Sequence, residues 1–210
     1  MTVAVGPEQC EHTVDKDLLC EKSPYFSAAT KDCWPVDDEG RIPLPNDDPA
    51  VFALYMQWIY RGRIFSRQDM GDTGGNREEI DLLIEAFVLG EKLQDQECRD
   101  AVVDCLVDAV DTPDGQDKRW YPTPGAIDRA YRGTPEGSPL RRLLVDMYFF
   151  RGCPEWLDEA SNAEFLRDLA RAFLQDRESF ATRADHTTAQ LAGCSYHGHG
   201  IESACYSDAS

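Results

Sequence analysis

The stretch RIPLPNDDPAVFALYMQWIYRGRI (Arg41–Ile64) decides how the chain is read. Val51, Phe52, Leu54, Tyr55, Trp58 and Ile59 recur at helical spacing and make a wide apolar stripe. Asp47 or Asp48 is placed to cap this helix, Pro49 fits its first turn, and Arg61–Gly62 ends it. Ahead of it, Ile42–Leu44 is a short strand candidate. Pro43 suits an edge position there, because proline donates no ladder hydrogen bond. Behind it, Arg63–Phe65 reads as a short strand returning to the sheet. A strand that feeds a capped amphipathic helix belongs to a mixed α+β unit.

Working toward the N-terminus, Met1–Val5 and His12–Val14 are strand candidates separated by the turn signal Gly6–Pro7. Asp17–Cys20 begins a helix with Leu18 and Leu19 on its apolar side. Ser23 can cap the next helix, Pro24 fits its first turn, and Phe26 is delivered to the core. Lys31–Gly40 is polar and loop-like. Toward the C-terminus, Asp69–Arg77 is a glycine-rich loop without the lysine and hydroxyl pattern of a phosphate loop, so nucleotide binding there is rejected. Glu78–Leu93 and Glu97–Val110 read as helices, the first losing some propensity at Gly90. The polar run Asp111–Lys118, with Pro113 and Gly115, marks the main internal boundary. Pro124–Tyr131, Pro139–Arg151 and Asn162–Arg177 are three further helices. Periodicity fades from Glu178 onward. The expected organisation is an α+β unit over 1–110, a linker over 111–119, a helical extension over 120–177 and a tail over 178–210 without order of its own. Two or three short strands close neither a barrel nor a sandwich.

The 210 residues include 39 acidic and 21 basic side chains, for a net charge of -18. A surface of this sign repels phosphate backbones and anionic membranes, which argues against nucleic acid or a membrane as the partner. It suits solubility, and it attracts a basic face. No apolar run is long enough to span a bilayer. MTVAVGPEQCEH has no basic region followed by an apolar stretch, so secretion is not expected. The eight cysteines are therefore read as reduced thiols of an intracellular protein, cytoplasmic or nuclear. Cys20, Cys98, Cys105 and Cys153 lie in or beside apolar segments and are expected to be buried. Catalytic constellations are missing from the sequence. Ser138 sits in EGSPL without a nucleophile elbow. Glu78–Glu79 and Asp37–Asp38 fall on polar faces or loops. No catalytic residue is assigned.

Taken in order, TVAVGPE (Thr2–Glu8), TVDKDLLCEKSPYF (Thr13–Phe26), Arg41–Ile64 and EAFVLGEKLQDQECRDAVVDCLVD (Glu85–Asp108) resemble a BTB/POZ domain of the compact fungal type. YPTPGAIDRAYRGTPEGSPLRRLLVDMY (Tyr121–Tyr148) and PEWL (Pro154–Leu157) are similar to the helical extension of those proteins. The resemblance implies a small sheet flanked by a helical cluster, no chemistry of its own, and work as an adaptor or scaffold. The implied partner is a protein, either a cullin-type ubiquitin ligase scaffold or a second copy. Leu18, Phe26 and Trp58 fall at core positions of the motif. The family reads aromatic-x-V-H-K-D-x-L at its second strand and first helix. Here His12 holds the aromatic position and Asp15 the histidine position, while Lys16, Asp17 and Leu18 match. The short N-terminus leads us to expect no strand-swapped dimer.

For partner binding the sequence nominates Asp48, Met56 and Tyr60. Met56 and Tyr60 exceed what one internal stripe needs, and Asp48 lies in the segment leading into the same helix. In the tail, Cys194, His197, His199 and Cys205 are residue types suited to tetrahedral zinc. Gly193, Gly198 and Gly200 around them supply little order, so no cofactor is expected, and a zinc-stabilised structural protein is the alternative. A self-assembling subunit without a ligase role is another. Metal analysis of protein purified without a histidine tag is expected to find less than one zinc per chain. A stoichiometric content would restore the zinc reading.

Overall fold

A computed structural model of the protein describes residues 1–30, 40–65, 75–157 and 162–175. The tail ligand candidates Cys194, His197, His199 and Cys205 lie outside the described residues, as do most of the two polar loops expected at Lys31–Gly40 and Asp69–Arg77. Among the described residues the fold is mixed, with three strands and eight α-helices, and it is mostly helical.

The strands are β1 (Thr2–Val5), β2 (Cys10–Thr13) and β3 (Ile42–Leu44). They lie in the order β2-β1-β3, with β1 antiparallel to β2 and parallel to β3. Val3 pairs with His12 on one side and Ile42 on the other. The central strand is the most apolar, with Val3, Ala4 and Val5 all buried. Pro43 sits on an edge strand, where a missing donor is tolerated. Gly6, at φ 77, makes the turn out of β1 with a backbone conformation that glycine adopts at no steric cost.

Two short helices follow, α1 (Lys16–Lys22) and α2 (Pro24–Ala29). Asp15 caps α1, accepting from the backbone N–H groups of Asp17 at 2.9 Å and Leu18 at 3.1 Å. The exposed Asp15 carboxylate thus turns outward and satisfies a helix end. Leu19 is fully buried and Leu18 only partly, so Leu19 is the core leucine of this segment. Ser23 caps α2 through Phe26 N–H at 3.3 Å and donates its own hydroxyl to the Leu93 carbonyl at 2.7 Å.

Helix α3 (Pro49–Arg61) ends at Gly62, which is left-handed at φ 63. No strand forms at Arg63–Phe65. Its backbone groups take side-chain partners instead of a sheet edge. Phe65 N–H donates to Gln57 Oε1 at 3.2 Å, and the Ile64 carbonyl accepts from the Cys105 thiol at 3.9 Å.

The remaining helices are α4 (Gly75–Leu93), α5 (Gln96–Asp111), α6 (Pro124–Gly133), α7 (Pro139–Arg151) and α8 (Ala163–Gln175), with a 3-10 turn at Pro154–Trp156 before the last. Helix α4 packs against α2, α3, α5 and α6. The buried apolar cluster is continuous from Val3 in the sheet through Ile84 and Phe87 to Ile127, Leu144 and Phe165. It therefore crosses the polar segment 111–119. On α8, Phe165 and Leu169 are buried, whereas Phe173 is 36% exposed and rests on Phe149 with ring centroids 4.5 Å apart. Among the cysteines expected to be buried, Cys98 is, Cys20 and Cys105 are half-buried, and Cys153 is exposed beside the turn that leaves α7.

Arg141 ties the last three helices together. It is 8% exposed. Its guanidinium donates to the Thr134 hydroxyl at 3.1 Å, to the Tyr131 carbonyl at 2.5 Å and to the Thr134 carbonyl, and it pairs with Glu164 at 2.8 Å. Replacing it strands two carbonyls at the end of α6. Arg141→Ala is expected to lower unfolding free energy by about 2 kcal/mol or more. Denaturant titration checks the magnitude, and hydrogen exchange should show the loss first in α8.

Candidate functional site

The inward face of α3 is fixed by Val51, Phe52, Leu54, Tyr55, Trp58 and Ile59, all buried. Its opposite edge carries two of the residues nominated from the sequence, Met56 and Tyr60. Met56 is half-buried against the core, and Tyr60, one turn later, is 55% exposed. Residues four apart lie on one helix face, so these two share a surface. Tyr60 is held in place: its hydroxyl accepts the Asp15 backbone N–H at 3.0 Å. Phe65, 54% exposed, lies just past the same end of the helix, with the Arg61 guanidinium 5.7 Å from its ring centroid. Sequence reading assigned Phe65 to a strand and missed it. Its signal was an aromatic side chain three residues after the glycine that ends the helix.

Asp48 does not join this surface. It is the N-cap of α3, accepting from Ala50 N–H at 2.6 Å and Val51 N–H at 3.4 Å. Tyr60 lies twelve residues further along the helix, about 18 Å away at the α-helical rise. It borders a different cleft, formed by Asn46–Asp48, Val51, Glu85, Val88, Leu89 and the end of α6. Burial raises the Glu85 carboxyl above its ordinary value, opposed by the Arg129 guanidinium 2.8 Å away and assisted by Asp48.

His12 and Phe26 anchor this end of the fold from beneath. The His12 ring meets Phe52 edge-on at 5.0 Å between centroids, so the imidazole fills an aromatic place in the packing. Phe26 is fully buried and also contacts Phe52, at 6.5 Å.

Trp58 is buried through a polar contact that the sequence did not disclose. Its indole N–H and the Tyr55 hydroxyl both donate to Asp95 Oδ2 at 3.2 Å, while Cys98 N–H donates to Oδ1 at 2.9 Å. Asp95 is 2% exposed and caps α5. An aspartate before an apolar-periodic run signals a cap. Its second oxygen receives α3 only in three dimensions. Burial raises the Asp95 carboxyl above its ordinary 3.8, although all three donors act to lower it. The same burial, with the carboxylate beside it, holds the Tyr55 hydroxyl far above the usual phenol range. These groups bond one another and build a support for α3.

Among the described residues no group of three or more His, Cys, Asp or Glu side chains is placed to hold a metal ion. Among them, too, no helix is long and apolar enough to cross a membrane. No family model matches the chain, and no curated protein sequence matches it.

The Asp95 arrangement makes a signed prediction. With the folded value above the unfolded one, the native state holds more protons across the window between them, so this group's contribution to stability falls as pH rises through that window. The stability of the wild type relative to Asp95→Asn should therefore increase as pH is lowered toward 3.8. Urea titrations of both proteins across mildly acidic pH check it, and a flat difference would contradict the assignment.

Proposed function

We propose that this chain is a protein-interaction module of the BTB/POZ type, working as a non-enzymatic adaptor or scaffold component. A small three-stranded sheet beside a helical cluster agrees with the shape the resemblance implies. The two departures from the family pattern are compatible with it, since His12 packs as a ring and Asp15 becomes a cap. The observation that carries the reading is α3. One face is entirely buried, and the other presents Met56 and the exposed ring of Tyr60, with Phe65 at the same end. Large aromatic side chains held in solvent by a rigid helix have the character of interface anchors, combining apolar area with little entropy to lose.

The partner proposed for this surface is the N-terminal domain of a cullin-type ubiquitin ligase scaffold. The second reading, a self-assembling subunit, is favoured by Leu166, Phe173 and Leu174, which stay exposed on α8.

Met56→Arg combined with Tyr60→Arg is expected to reduce capture by a cullin N-terminal domain about tenfold or more, since interface anchors typically carry at least that much. Thermal unfolding of the variant controls for the lost Tyr60–Asp15 bond. Equal capture by wild type and variant would reject the surface. No capture by either would reject the cullin partner. A mass in light scattering that rises with concentration would shift the reading to self-assembly.

A further inference from the structure

A second surface lies where the chain enters its last helices. A cleft of about 340 Å³ is lined by Arg77 at the start of α4, the segment Lys118–Pro124, Tyr148 near the end of α7, and Glu155 and Trp156 of the 3-10 turn. None of these residues belongs to α3, so the site stands apart from the Met56–Tyr60 surface.

The wall is aromatic and braced. The Tyr121 and Trp156 rings lie 4.8 Å apart, and Trp156 meets Tyr148 edge-on at 5.4 Å. The Tyr148 hydroxyl donates to the Pro122 carbonyl at 2.7 Å, fixing the segment above it. Trp120 is half-buried at the rim. Its indole N–H donates to Asp114 Oδ2 at 2.9 Å, while Asp114 Oδ1 accepts from Gln116 N–H at 2.9 Å and Lys118 N–H at 3.0 Å. A loop is thus folded around one carboxylate that sets the position of a tryptophan.

Cationic side chains gather at this cleft. Arg77, Lys118 and Arg119 line the cleft against the single carboxylate Glu155, in a chain whose net charge is -18. Lys118 Nζ lies 3.7 Å from the Trp120 ring centroid. Arg119 is already engaged, its Nε 3.7 Å from Asp111 Oδ1 and donating to the Asp111 carbonyl at 3.0 Å, which leaves Arg77 and Lys118 to meet an incoming anion. The cleft is at the small end of ligand pockets, with room for one large side chain.

We propose that this cleft docks an acidic linear segment of a partner protein, with one aromatic side chain against Trp120, Tyr121 and Trp156 and flanking carboxylates on Arg77 and Lys118. Cations interleaved with ring faces complement that pairing. A phosphate ligand fits less well, because the backbone N–H groups of Gln116 and Lys118 already serve Asp114.

The test uses the full chain, fluorescently labelled, against a peptide array. The array permutes Asp and Glu around one Phe, Tyr or Trp, with matched sets in which the acids become Gln or Lys or the aromatic becomes Ala. Binding should concentrate in the acidic–aromatic set. Arg77→Glu with Lys118→Glu, both exposed positions, should weaken it about tenfold or more, the scale of losing hydrogen bonds to charged groups. If that reversal moves the unfolding midpoint, Arg77→Gln with Lys118→Gln carries the same test. The proposal is overturned by no saturable binding in the acidic–aromatic set up to about 1 mM, by equal binding of the Gln set, by wild-type affinity in the variant, or by preference for a proline-rich peptide or for ATP.

Discussion

Helix α4 is the element on which the arrangement depends, because it must be covered on several sides at once. Ile80, Leu83, Ile84, Phe87 and Leu93 are buried to 1% exposure or less. Helices α2, α3, α5 and α6 all lie against it. Close approach is built in at two glycines. A Cβ on Gly90 would fall 2.9 Å from Arg99 Cγ on α5, and one on Gly133 of α6 would fall 2.3 Å from Val88 Cγ1. Gly90 weakens the helix in isolation, and the packing explains why it is there. The later helices share its core.

Around this apolar centre, buried polar groups decide the details. Apolar burial is non-directional, so it does not by itself specify how helices are rotated and joined. Ser23 fixes α2 to the last carbonyl of α4, Asp95 fixes α3 to the start of α5, and Arg141 fixes α7 to the end of α6 and to α8. In each case one polar side chain satisfies a helix end and reaches a second element with its remaining capacity. Partial satisfaction would be costly at such depth, so each group ties the register of two elements to a single geometry.

The surface is uneven in charge and in aromatic content. Acidic side chains dominate the chain, and several spend their charge locally, as Glu91 does on Arg99, Glu97 on Lys22, and Asp81 with Glu85 on Arg129. The exposed rings at the end of α3 and the basic aromatic cleft stand out against this background. Both rest on well-packed supports, so their side chains are presented with little freedom to lose on binding.

Helical periodicity, proline at first turns and the cap residues Asp48 and Ser23 are local properties, and local physics wrote them into the sequence. The apolar stripe of α3, the span of α7 and the edge strand with Pro43 were legible for that reason. The short strand expected at Arg63–Phe65 did not form; its backbone bonds the Gln57 and Cys105 side chains, partners that sequence spacing does not reveal. Burial depends on what lies opposite. Leu18 and Leu19 are equivalent in composition, and only the placement of α1 chose Leu19. Asp48 and Tyr60 flank one helix in sequence, yet they stand at its two ends. The union of Tyr55, Trp58 and Asp95, and the gathering of Arg77 with Lys118, Trp120 and Trp156, join residues from distant segments. Chain order carries no record of such meetings. Only closure of the helices around α4 brings them about.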